Sequence, residues 1–165
     1  VRIAGLDLDY RALAGAAPVA HARLDAAQWV EAARLVREAR QRLVALWGAD
    51  NRDRDRTFSV YAAYAVGEGL CVVELSVAEK HPAYPDLSGL FPAAVRMQRA
   101  LFDLLGVRAE GAADTRAWLR HGAWPEGVHP LRRDFAPHYP FENAQEHYSF
   151  VRVEGEGVHE IAVGP

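Results

Sequence analysis

Thr57-Phe58-Ser59-Val60-Tyr61-Ala62-Ala63-Tyr64-Ala65-Val66, then Gly67-Glu68-Gly69, then Leu70-Cys71-Val72-Val73-Glu74-Leu75-Ser76-Val77 form the stretch on which the reading of this chain turns. In the first run Phe58, Val60, Ala62 and Tyr64 recur at every second position, which predicts a strand with one buried face. The two glycines supply turn chemistry, and the second run returns as another strand. Cys71 lies between apolar neighbours and reads as a small buried thiol rather than a reactive one.

Upstream, Val19–Leu24 reads as a short strand. Asp25 is placed to cap a helix, with Gln28 three residues on to complete a capping box. Trp29, Val30, Ala33 and Val36 then recur at helical spacing, with Glu31, Arg34, Arg37 and Glu38 outside that stripe, so an amphipathic helix runs to about Arg40. Leu43–Trp47 has strand length. Residues 50–56 alternate in sign, and because the charges cancel they read as a solvated hairpin loop rather than a nucleic-acid patch.

Downstream, residues 81–86 break the pattern. A helix follows, irregular or kinked at Pro92 and running to Leu105. Ala94, Met97, Leu101, Leu104 and Leu105 form its apolar stripe, and Gly106 occupies the position just past its end. Beyond Ala109 periodicity fades into prolines and short aromatic clusters around Trp118, Trp124, Phe135, Tyr139, Phe141, Tyr148 and Phe150. Such a segment is too aromatic for plain disorder and too irregular for a core of its own, so it is expected to lie across its own domain or a partner. The boundary is placed after residue 117: a core domain over 1–117 and an extended docking tail over 118–165.

With 165 residues, half hydrophobic and a quarter charged, the chain has the size and composition of one globular domain. A formal net charge of −3 gives no electrostatic reason to expect nucleic acid or an anionic membrane surface. No apolar run approaches the ~20 residues that span a bilayer. The single cysteine excludes an internal disulfide framework or a four-cysteine cluster. Val1 at the start, without any signal peptide, reads as a fragment from a cytoplasmic setting.

Chemistry-bearing patterns are sparse. His21, His81, His121, His129, His138, His147 and His159 are scattered, with neither an i, i+4 pair nor a zinc-protease pattern. Glu142, Glu146 and His147 are the one local set that suggests a metal. Gly155-Glu156-Gly157 resembles a phosphate loop only superficially, since its acidic residue repels phosphate and no lysine follows. No catalytic, cofactor-binding or metal residues are assigned. The alternative that remains is a stand-alone small α+β enzyme or a metal-binding module using the histidines of the C-terminal half.

Two charge-rich segments stand apart: Arg99-Ala100-Leu101-Phe102-Asp103-Leu104-Leu105-Gly106-Val107 and His129-Pro130-Leu131-Arg132-Arg133-Asp134-Phe135. Asp103 sits in the last turn of its helix, where the macrodipole disfavours a carboxylate by ~0.3–1 kcal/mol. Either it is solvated, or it has a tertiary partner, for which Arg99, Arg132 and Arg133 are the candidates. Pro130 holds His129 extended and presents Arg132, Arg133 and Asp134 in a short rigid segment. That arrangement suits a protein interface, or else the arginines are merely solvated.

These motifs resemble the thirty-kilodalton subunit of respiratory complex I, the proton-pumping NADH:quinone oxidoreductase. Arg99, Asp103, Gly106 and Val107 fall in register with that family's first motif. His129, Pro130, Leu131, Arg132, Arg133, Asp134 and Phe135 match its second, with Arg133 in place of lysine. Gln98 and Ala100 stand where the family usually has glutamates. The end of the chain, Gly155 to Pro165, resembles the beginning of the large subunit of group-four membrane-bound hydrogenases, formate hydrogenlyase included. Some of those proteins carry a domain like the thirty-kilodalton subunit in front. The resemblance implies an α+β fold with a small mixed or largely antiparallel sheet packed against helices. It implies a scaffold subunit without cofactor, bracing the hydrophilic arm of an NADH:quinone oxidoreductase or energy-converting hydrogenase. Its partners would be a D-type large subunit and other arm subunits, on the cytoplasmic face of the membrane, with no membrane span of its own.

Overall fold

The computed structural model describes residues 1–15, 17–144, 154–159 and 161. The expectations for Glu146, His147, Tyr148, Phe150, Glu160 and residues 162–165 lie outside the described residues. The elements run β1 (Arg11–Leu13), β2 (Val19–Leu24), α1 (Ala26–Glu38), β3 (Arg42–Asp50), α2 (Arg52–Asp55), β4 (Thr57–Val66), β5 (Gly69–Ala78), β6 (Ala83–Pro85), α3 (Ala94–Leu105) and β7 (Arg108–Glu110). Five strands form one sheet in the order β1-β2-β5-β4-β3, with β6 and β7 as a separate two-stranded pair. Only β2 and β5 are parallel in the larger sheet. The architecture is α+β with a largely antiparallel mixed sheet.

The β4–β5 hairpin is its spine. Gly67 takes φ +56 in the tight turn, and the two strands pair without interruption from Thr57↔Ala78 to Val66↔Gly69. Phe58, Val60, Ala62, Tyr64 and Val66 of β4 and Cys71, Val73, Leu75 and Val77 of β5 all point into the buried core. Burial raises the Cys71 thiol to about 11, so it stays protonated. The opposite face carries a polar set: Ser59 donates to Glu74 at 2.9 Å, and His21 Nε2 lies 2.9 Å from the other Glu74 oxygen. Trp47 and Tyr61 stack beside it with centroids 5.3 Å apart.

The helix α1 starts as its capping box requires. Asp25 accepts from the Gln28 N–H at 2.8 Å, and the Gln28 side chain accepts from the Asp25 N–H at 3.0 Å. Its buried stripe is Trp29, Ala32, Ala33 and Val36. Val30, expected in that stripe, is instead exposed, because Ala32 completes the face at the 3.6-residue period. The Trp29 indole donates to the Pro85 carbonyl at 3.2 Å and meets Tyr84 edge-on. This contact ties α1 to β6.

Three short elements, β1, β6 and β7, have no counterpart among the expected strands; each is three residues, too short to show periodicity. The second pair matters, since β6 enters α3 and β7 leaves it, running parallel. Residues 50–56 are not a solvated loop throughout. They contain the single turn α2, and Asp50 is only 6 % exposed.

Helix α3 lies on the edge strand β3. Gly48 permits the approach: a Cβ there would sit 2.6 Å from Leu101 Cδ1 and 2.9 Å from Leu105 Cδ1. Overpacking a tight contact typically costs about 1–3 kcal/mol. Gly48→Ala is therefore expected to lower unfolding free energy in urea by about that amount. An unchanged midpoint would show that α3 does not rest on β3 in solution.

Candidate functional site

An α-helix leaves its last four carbonyls without intrahelical partners. At the end of α3 all four are occupied. Gly106 N–H reaches Phe102 O at 2.7 Å. His129 Nδ1 lies 3.0 Å from Asp103 O, Leu131 N–H donates to Leu104 O at 3.0 Å, and Arg132 Nε donates to Leu105 O at 2.7 Å. The second charge-rich segment is thus the C-terminal cap of the helix carrying the first. Gly106 is essential twice over. Its φ of +72 is left-handed, and a Cβ there would lie 2.6 Å from His129 Nε2 and collide with the Arg132 guanidinium.

Because a carbonyl only accepts, His129 must carry its proton on Nδ1. Burial, with Arg132 close by, holds its pKa below the ordinary value even though the Asp103 carbonyl pulls the other way. The Phe102 ring meets the imidazole edge-on at 5.9 Å.

Asp103 is 2 % exposed, so the solvated reading fails. Nor is its carboxylate held by any of the arginines expected for it. One oxygen, Oδ2, accepts the backbone N–H groups of Trp118 at 2.7 Å, Leu119 at 2.7 Å and Arg120 at 3.1 Å. Three converging amides offset the unfavourable helix-end position. Arg99, one turn earlier, grips the same loop by its carbonyls: Nε to Arg116 O at 2.7 Å and Nη2 to Ala117 O at 2.8 Å. Its remaining arm meets Asp114 at 3.0 Å. A cation and an anion one helical turn apart therefore clamp the carbonyls and then the amides of residues 116–120. Each amide stripped of its acceptor there would cost about 1–3 kcal/mol.

The other two charges of the second motif reach the β3–α2 corner. Asp50 accepts from Arg52 Nη2 at 2.7 Å, Arg52 Nε at 2.9 Å and the Arg133 backbone N–H at 2.9 Å. Arg133 Nε returns to the Asp50 carbonyl at 2.9 Å. Arg52 bridges onward to Asp134 at 2.8 Å. The Arg52 hydrogen bonds, strengthened by the two backbone N–H groups, keep the Asp50 carboxyl far below the usual carboxylate range despite its desolvation. Both Arg52 and Arg132 lie over the Phe58 ring, at 5.0 and 5.4 Å.

All the residues singled out by sequence therefore meet at one end of the molecule: Arg99, Asp103 and Gly106 on α3, and His129, Pro130, Leu131, Arg132, Arg133 and Asp134 against it. Arg133 and Asp134, expected to face a partner or solvent, also make contacts within the chain, because Asp50 and Arg52 meet them. Leu131 is left 56 % exposed. Beyond residue 117, the position given to the domain boundary, Asp103 holds the amides of Trp118, Leu119 and Arg120 against α3.

Sequence reasoning gave Asp50, Arg52, Asp86 and Gln98 no tertiary role. Gln98 accepts from the Leu87 N–H at 2.9 Å and donates to Asp86 at 2.6 Å, fixing the loop before α3. The alternating charges of residues 50–56 were the available signal for Asp50 and Arg52. For Gln98 the signal was a polar side chain one position from the apolar stripe.

What the arrangement offers chemically is positioning. Ser59 hydrogen-bonds to Glu74 and not to His21, so the imidazole is not placed to take its proton. Among the described residues no three His, Cys, Asp or Glu side chains come together as a metal set, and no helix is long and apolar enough to cross a membrane.

The His129 contact predicts a pH dependence. Its folded pKa lies below the ordinary 6.5, so as pH falls through 6.5 the unfolded chain takes up the proton first. Stability is complete above that value and declines below it. Asp50, also depressed, loses its contribution only below the ordinary carboxylate range near 3.8. The urea midpoint is expected to fall from about pH 7 to 5 in the native sequence and to stay level in His129→Gln. Parallel declines in both proteins would remove His129 as the cause.

The chain matches known proteins along most of its length. Residues 22–140 match the family described as respiratory-chain NADH dehydrogenase, 30 Kd subunit. Hydrogenase-4 component G of Escherichia coli is 32 % identical over 130 residues, which are 74 % of this chain and 23 % of that protein. The chain thus spans about a quarter of that relative. Formate hydrogenlyase subunit 5 of the same organism is 28 % identical over 131 residues, again 74 % of this chain and 23 % of that one. The C component of the NADH-quinone oxidoreductase of Moorella thermoacetica is 34 % identical over 96 residues, 56 % of this chain and 62 % of that one. Among solved structures, a chain of the membrane-bound sulfane sulfur reductase, an archaeal respiratory membrane complex, superposes with a TM-score of 0.65. That match covers 86 % of this chain and 91 % of that one at 17 % identity, a likeness of fold. The motifs that close α3 thus lie within the matched stretch, and the chain belongs to the 30 Kd subunit family of respiratory-chain NADH dehydrogenase.

Proposed function

We propose that this chain is a non-catalytic scaffold part of a membrane-associated oxidoreductase, either an NADH:quinone oxidoreductase of the complex I type or a related energy-converting hydrogenase. It braces the hydrophilic arm on the cytoplasmic face of the membrane and docks the large subunit that forms the quinone or nickel-iron site. It holds no redox group itself. The observation that carries this reading is the use made of the two motifs. Their polar groups fix a helix end, a loop and a sheet corner to one another through hydrogen bonds made within the chain.

A rigid block suits a bracing role because docking partners with a preformed surface avoid the cost of ordering it on association. Leu131, half exposed beside the charged Arg133 and Asp134, supplies the aliphatic-plus-arginine composition common at interface cores. The matched stretch is 23 % of the relative named as a hydrogenase component. A role as the leading domain of a fused large subunit fits that proportion.

Purification of the tagged chain from native membranes under mild detergent tests this directly. Co-purification of a D-type or nickel-iron large subunit, with no stoichiometric metal in the chain's own domain, is the expected outcome. Stoichiometric zinc, nickel or iron bound by the purified domain, or substrate turnover by it alone, would replace the scaffold reading with an enzyme.

A further inference from the structure

A groove of about 740 Å³ runs along the outer side of α3, away from the capped end. Pro92, Val95 and Met97 give it an apolar floor, and Trp118 forms one wall. Trp118 is 44 % exposed, yet its position is fixed. Its backbone N–H is held by Asp103, and the guanidiniums of Arg96 and Arg99 lie over its ring at 5.0 and 5.2 Å. A large aromatic side chain held at the surface by contacts of this kind has little conformational freedom left to lose on binding.

The charge around the ring is unbalanced. Arg96, Arg99 and Arg116 line the groove, with Asp114 as the carboxylate among them. Asp114 already accepts from both Arg99 at 3.0 Å and Arg116 at 2.8 Å, and these contacts hold it well below its usual range and fully ionised. Arg96 forms no ion pair among the described residues. The groove thus has two positive charges in excess, in a chain whose formal net charge is −3.

We infer that the groove between α3 and Trp118 is a docking site for an acidic segment of a neighbouring subunit, with an aliphatic or aromatic side chain seated against Trp118 and carboxylates on Arg96 and Arg116. This rests on the scaffold reading, since it requires an assembly that supplies the segment. Charge complementarity selects the occupant. A basic segment would meet three guanidiniums, and a purely apolar one would leave the excess charge of Arg96 and Arg116 unmatched at its rim. Arg96 and Trp118 act together, because the Arg96 guanidinium lies over the indole ring at 5.0 Å and a segment that pairs with it is brought alongside Trp118.

The test uses the intact assembly. A photoreactive benzoylphenylalanine replaces Ala93, an exposed residue at the groove's rim, and the tagged complex is irradiated and its crosslinked peptide sequenced. The expected product is a net-acidic segment of another subunit. Arg96→Glu should lower the yield roughly tenfold through like-charge repulsion, and reversing one acidic residue of the captured segment to arginine should restore it. Arg96→Gln gives an intermediate yield. A crosslink to a neutral or basic segment, to nucleic acid or to a second copy of this chain overturns the inference, as does a yield indifferent to Arg96→Glu. No crosslink in a complex that still contains its other subunits refutes the groove alone. Recovery of the tagged chain without any other subunit refutes the scaffold reading and the groove with it.

Discussion

Four carbonyls at the end of α3 organise the end of the protein where the two charge-rich segments meet. Left open beside a buried core they would each carry the cost of an unpaired polar group. One is closed by Gly106, and the other three by His129, Leu131 and Arg132 from a segment more than twenty residues away. The requirement for glycine at 106, for an imidazole at 129 and for a long side chain at 132 all follow from that closure. The loop between the two segments is held by the same helix, through Arg99 on its carbonyls and Asp103 on its amides.

The charges nearby act differently from surface ion pairs. Asp50 and Arg52 are largely buried, with side-chain exposures of 2 % and 16 %. Desolvation of such groups consumes much of their mutual attraction, so their contribution is greatest in specifying one arrangement. Here that arrangement joins the β3–α2 corner to Arg133 and Asp134, and Arg52 and Arg132 share the face of Phe58, a residue of the central hairpin. Core strand, edge strand, helix end and C-terminal segment are thereby locked in one register.

The hairpin, the capping box at Asp25 and the end of α3 at Gly106 were all legible in the sequence, because each depends on local spacing or on one backbone conformation. The contact between the two motifs was suggested by Asp103, whose place at a helix end called for a tertiary partner. What could not be read was the partner of each charge. Asp103 invites an arginine by Coulombic reasoning, yet backbone amides satisfy it, since the loop at residues 118–120 folds over the helix and brings three N–H groups to its Oδ2. Residues 50–56 look solvated because their signs cancel along the chain. In three dimensions Asp50 points inward and Arg52 follows it, which periodicity does not record. The short strands β6 and β7 exist only because α3 brings their backbones side by side.

Amide hydrogen exchange at Leu131 and at Trp118, Leu119 and Arg120, compared with the last turn of α3, tests the central claim most directly. If the second segment is the cap of that helix, these amides are protected and open together with Leu104 and Leu105 in one cooperative step. Free exchange at Leu131 and at residues 118–120 beside a protected α3 would contradict it, showing a helix that is stable without the segment assigned to close it.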